Sequence, residues 1–175
     1  MKIPFKRLNE KAIIPEFKHP EDAGKDLFPV SVRYNEKYDR LEYGLGFATA
    51  IPEGYEVEIR PRSSQTKKDW YIPNAPGTID AGYRGEWFVM FKHRVPFETL
   101  FPDGDYELNV NELINELAPY KPGEAIAQAL LHKREDWEFT EVNELDETER
   151  GADGGLNREG KWLLRKNSLN LFNLI

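Results

Sequence analysis

A carboxylate, a phenol ring and three glycines are compressed into Gly77-Thr78-Ile79-Asp80-Ala81-Gly82-Tyr83-Arg84-Gly85-Glu86. Asp80 is followed by small residues at what reads as a strand end, where water can reach it. A carboxylate so placed can act as a general base towards that water. Taken alone, an Asp here reads better as a turn cap; beside Tyr83 and Asn74 it does not. Tyr83 lies between Gly82 and Gly85, which allow positive φ or a close approach of backbone to a ligand; its plainer reading is a strand aromatic with its hydroxyl at the surface. Upstream, the amide of Asn74 offers one donor group and one acceptor. A second group, Pro61-Arg62-Ser63-Ser64, brings a guanidinium and two hydroxyls to a turn between strands, a set suited to phosphate oxygens. These types fit, without singling out, water attacking phosphorus, which needs a base, a held water and donors that absorb developing charge.

The elements that must position these groups read as β structure. Twelve prolines and thirteen glycines punctuate segments rich in Val, Ile, Tyr, Phe and Trp, which favours an all-β sandwich or barrel. Strands are expected over 41–51, 55–59, 70–72, 87–92, 125–132 and 137–142, with Ile51-Pro52-Glu53-Gly54-Tyr55 as a turn. Val110, Leu113, Ile114 and Leu117 instead follow helical spacing and predict one short helix, inside a surface insertion over 96–121.

Composition narrows the function classes. A chain of 175 residues with 39% hydrophobic content supports one packed core. Zero cysteines exclude a disulfide framework, thiolate metal sites and cysteine nucleophiles. His19, His93 and His132 are too scattered to mark a metal centre. A net charge of −7 argues against nucleic acid or an anionic membrane as partner. A polyanionic ligand must then meet a local basic cluster, for which Arg60, Arg62, Lys67 and Lys68 are at hand, although Lys67 and Lys68 read better as a solvated loop. With no long apolar run and no secretory leader, a soluble intracellular protein is expected.

Five segments, in fixed order, resemble the motifs of the trimeric deoxyuridine triphosphatase (dUTPase) family. They are Ala23-Gly24-Lys25-Asp26-Leu27, Pro61-Arg62-Ser63-Ser64, the stretch 77–85, Gly123-Glu124-Ala125-Ile126-Ala127-Gln128 and Arg150-Gly151-Ala152-Asp153-Gly154-Gly155. The resemblance implies a distorted jelly-roll domain over 1–148 and a C-terminal arm over 149–175. It implies a homotrimer with shared active sites, hydrolysing deoxyuridine triphosphate (dUTP) to the monophosphate and pyrophosphate with Mg2+ on the triphosphate. Asp80 would activate the water and Tyr83 would exclude a 2′-hydroxyl. Asn74, Gly77, Thr78 and Ile79 would line the uracil pocket. Arg62, Ser63, Ser64 and Gln128 would meet the phosphates, and Asp26 would reach the metal through water.

The fifth motif departs from the family pattern. One residue is inserted at Ala152-Asp153, Leu156 stands at the aromatic position, and Asn157-Arg158-Glu159 replaces the small hydroxyl run. Arg150 is carried over as a phosphate ligand and Leu156 as a cover for the base, while Arg158 would compensate by charge. Two rivals share the resemblance. A deoxycytidine triphosphate deaminase is disfavoured because Met90 stands where that family has its catalytic glutamate, and Lys67 where it has an arginine. A catalytically weakened regulatory relative is disfavoured by the joint presence of Asp80, Tyr83, Asn74, Arg62 and Gln128.

Overall fold

A computed structural model describes residues 1–96, 99, 118–121, 123–149 and 151. The chain divides into two units, Met1–Asp136 and Trp137–Ile175. Among the described residues the first holds ten strands: β1 (Phe5–Arg7), β2 (Lys25–Leu27), β3 (Ser31–Asn35), β4 (Arg40–Gly44), β5 (Phe47–Thr49), β6 (Tyr55–Pro61), β7 (Trp70–Tyr71), β8 (Gly77–Ile79), β9 (Phe88–His93) and β10 (Ala127–Lys133).

All pairings are antiparallel. One four-stranded sheet runs β2-β10-β6-β8, another runs β3-β4-β9-β7, and β1 pairs with β5. Alternation along the strands explains the core. Leu41 and Tyr43 of β4 and Val89 and Phe91 of β9 are sealed from solvent, as are Val57 and Ile59 of β6. Tyr43 meets Phe91 edge-on at 5.5 Å, and Phe91 meets Tyr120 at 5.2 Å. Each such fully buried side chain contributes about 1.5–3 kcal/mol relative to exposure.

The expected strand 41–51 is broken in two. Gly46 holds φ at +70°, and a Cβ there would strike Val30 and Asn9, so only glycine fits the corner between β4 and β5. The corner is tied to the turn after β8, because the Gly46 amide donates to Glu86 Oε1 at 2.8 Å. The strands over 55–59, 70–72, 87–92 and 125–132 are present with shifted ends. β1, β2, β3 and β8, not anticipated, are short or carry mixed polarity.

In the second unit, residues 137–142 form no strand, against expectation. The alternation Trp137, Phe139 is there, yet both rings are exposed and touch each other edge-on at 4.6 Å. The helix expected over 110–117 lies outside the described residues. No helix among the described residues is long and apolar enough to cross a membrane.

Candidate active site

Asp80 ends β8, whose register is fixed by Val57↔Ile79, Glu58↔Thr78 and Ile59↔Gly77. The chain then turns, with the Tyr83 amide donating to the Asp80 carbonyl at 3.0 Å. The Tyr83 hydroxyl donates to the Glu86 carbonyl at 2.8 Å, which fixes the ring. A Cβ on Gly85 would lie 2.5 Å from that hydroxyl, so Gly85 makes room for the ring. Tyr83 remains 42% exposed, leaving a face available to a ligand.

At the other end of β8, the Asn74 amide nitrogen stands over Gly77, 3.3 Å from where a Cβ would be. Asn74, Gly77, Thr78, Ile79, Asp80 and Tyr83 line one cleft of about 380 Å3, within the range of nucleotide-sized sites. The six residues from the third motif region are therefore brought together.

The opposite wall was not foreseen. Arg33, Arg40, Glu42, Phe88 and Met90 form it, and Ile59 and Glu86 complete the cleft. Glu42 is a buried carboxylate with its side chain 6% exposed. Oε1 accepts from Asn35 Nδ2 at 2.9 Å and from Arg40 Nη2 at 2.7 Å, while Oε2 accepts from Arg33 Nε at 2.9 Å. Burial pushes the Glu42 carboxyl up, but the hydrogen bonds from Arg40, Arg33 and Asn35 and the charge of Arg40 outweigh it and hold the group below the ordinary 4.5. Nothing in the local sequence marks Glu42, because its partners come from β3 and the other end of β4.

The sign of that shift sets a pH dependence. A depressed folded value stabilises the fold above pH 4.5, and the contribution is lost as pH falls through the folded value. Glu42→Gln is expected to cost about 1–3 kcal/mol at neutral pH, discounted for the exposure of Arg33. Thermal unfolding of both proteins against pH checks this: the gap should narrow as pH falls below 4.5 and through the lowered folded value.

The second cluster lies at β2, β10 and the residues after β6. Arg62 Nε is 3.0 Å from Asp26 Oδ1, Nη2 donates to Oδ2 at 3.3 Å, and Nη1 donates to the Ala125 carbonyl at 3.1 Å. Gln128 pairs with Asp26 in register, and its side chain runs beside Gly24. Ser63 and Ser64 open a 3-10 helix, Ser63–Lys67, where a turn was expected. Burial raises the Tyr120 hydroxyl, opposed by the nearby charge of Arg62, so it stands as a neutral phenol there.

Arg60 is taken up by Glu58, and Lys68 is bound to the Pro119 carbonyl and lies 4.6 Å from the Tyr120 ring. The basic cluster read from the sequence thus narrows around Arg62. Lys68 is not the solvated loop residue it was taken for, whereas Lys67 is exposed.

The two clusters are not joined. In the β6–β8 register Asp80 continues to the level of Glu56, and Arg62 lies past the other end of β6. Six residues of extended strand separate them by about 20 Å. Arg150, Leu156 and Arg158 lie outside the described residues. Among the described residues, no group of three or more His, Cys, Asp or Glu could hold a metal.

An antiparallel β domain with a carboxylate and a tyrosine lining a nucleotide-sized cleft fits the class of nucleotide hydrolases. No family model matches the chain. It is 38% identical over 162 residues to the deoxyuridine 5'-triphosphate nucleotidohydrolase of Nautilia profundicola, covering 92% of this chain and all of that one. The chain belongs to the deoxyuridine 5'-triphosphate nucleotidohydrolase family.

Among solved structures it is similar to the dUTPase of Staphylococcus bacteriophage 80alpha with dUpNHpp. The TM-score is 0.64 at 26% identity, over 88% of this chain and 96% of that one. A mutant dUTPase of S. aureus phage phi11, described with a structural Mg(II) ion, shares the fold at TM-score 0.60 and 22% identity, over 82% and 98%.

Proposed function

We propose that the chain hydrolyses dUTP to the monophosphate and pyrophosphate in the cell interior. One observation carries the reading: Asn74 and Asp80 bracket a single cleft with Tyr83 at its mouth. A nucleotide laid along β8 would have its base at Asn74, its deoxyribose on Tyr83 and its innermost phosphorus at Asp80. Asp80 takes a proton from water, the oxygen attacks the α-phosphorus, and the bond to the α,β-bridging oxygen breaks as pyrophosphate leaves.

Asn74 and the backbone of 74–78 pair with the uracil edge. Cytosine would leave one of those groups buried and unpaired. Arg62, Ser63, Ser64 and Gln128 hold the phosphates, and Arg150, Leu156 and Arg158 are carried over as further contacts to the nucleotide. Both Asp26 oxygens are engaged by Arg62, so its fit to Mg2+ is through water, with the metal carried by the phosphates. Bound there, Mg2+ would neutralise charge on the phosphate oxygens.

The 20 Å separation favours a shared site. A nucleotide with its base at Asn74 and its phosphorus at Asp80 points its phosphate tail away from Arg62 of the same chain. The phosphate cluster must then come from another copy, in keeping with a homotrimer. The deaminase reading gains nothing, because Glu42, which pairs with Met90 in register, has both oxygens occupied.

Pyrophosphate release from dUTP with Mg2+ tests the reading, and its absence would refute it. Tyr83→Ala is expected to raise relative turnover of uridine triphosphate about tenfold or more, because the ring no longer fills the space of a 2′-hydroxyl. Competitive assays of the two nucleotides measure this, and unchanged discrimination would remove Tyr83 from the role.

A further inference from the structure

We propose that Arg40, fixed by Glu42, is a base-reading residue of this cleft, donating to the uracil carbonyl that cytosine lacks. The inference rests on the nucleotide orientation proposed above and adds a specificity determinant to it.

Strand geometry puts Arg40 on the right wall. Leu41, Tyr43, Val89 and Phe91 point into the core, so Arg40, Glu42, Phe88 and Met90 share the opposite face, and all four line the cleft. Register puts it at the right end. Gly44 pairs with Phe88, just after the Tyr83 turn, and Glu42 pairs with Met90. Arg40 lies one step beyond Leu41↔Phe91, towards Lys92, whose partner on β7 is Tyr71. Tyr71 is three residues before Asn74. Arg40 therefore belongs to the Asn74 end of the cleft, and Phe88 to the Tyr83 end.

The hydrogen-bonding pattern supplies the chemistry. Glu42 accepts from Arg40 through Nε at 3.0 Å and Nη2 at 2.7 Å, and the Tyr38 ring packs 4.7 Å from the guanidinium carbon. Those bonds leave Nη1 outside the Glu42 fork. A carboxylate is costly to bury, and Glu42 cannot itself read a base or carry a proton because both its oxygens are filled. What the arrangement accomplishes is a guanidinium held in one orientation beside a ligand cleft. A guanidinium only donates. It complements the O4 carbonyl of uracil, whereas the amino group of cytosine would oppose donor to donor.

The test compares kcat/KM for dUTP and deoxycytidine triphosphate in wild type, Arg40→Met and Arg40→Lys. Arg40→Met should raise KM for dUTP about tenfold with kcat nearly unchanged, and lower the preference for dUTP by a similar factor. Arg40→Lys keeps the charge but not the planar fork, and should recover part of the loss. Glu42→Gln should move KM and preference in the same direction by less, as a positioning residue would. A preference unchanged in Arg40→Met, or equal losses for both nucleotides, would overturn the inference. If Arg40→Met fails to fold by circular dichroism, Arg40→Lys decides: wild-type KM and preference overturn the proposal, and intermediate values support it. Wild type inert towards dUTP would instead refute the underlying function.

Discussion

Asp80→Asn is expected to lower dUTP turnover by about 10^2–10^4, the range for loss of a positioned general base. The substitution is isosteric, and the Asp80 side chain is exposed and enters no ion pair among the described residues, so the fold has no reason to change. Binding should persist or tighten, since one negative charge near a polyanion is removed. Stopped turnover with calorimetric binding of a non-hydrolysable analogue checks both halves. Hydrolysis at a near wild-type rate would show that another group activates the water.

Mixing two inactive variants should restore activity. Arg62→Ala removes the guanidinium of the proposed phosphate cluster and leaves Asp80 intact, and Asp80→Asn does the reverse. If a site draws Asp80 from one chain and Arg62 from another, exchanged assemblies contain sites with both. Random mixing of equal amounts gives about a quarter of the sites intact. Activity after co-refolding, set against each variant alone, measures this. No recovery, with exchange verified by mass, would mean that one chain supplies both groups.

The two halves of the site differ in how far the sequence revealed them. Asn74, Asp80 and Tyr83 lie within ten residues of one another, so one hairpin and one turn bring them to one cleft. Arg62 and Ser64 were legible for the same reason. Glu42 was not, because its meaning arises only when β3 and β4 pair and set Arg33 beside it. Residues 137–142 misled in the other direction. Trp137 and Phe139 alternate with polar neighbours as a half-buried strand does, but Glu141 and Val142 fall out of phase, and alternation yields a strand only where a neighbour accepts its hydrogen bonds. The break at Gly46 was missed because the apolar run 45–51 reads as continuous, and only the need to clear Val30 and Asn9 interrupts it.

If the site is shared between copies as proposed, the distance between Asp80 and Arg62 also governs how the rate responds to dilution. A solitary copy would hold half a machine, so specific activity should fall away steeply once protein concentration drops below that needed for copies to associate. Freshly synthesised chains would thus stay silent towards the nucleotide pool until enough of them accumulate to meet.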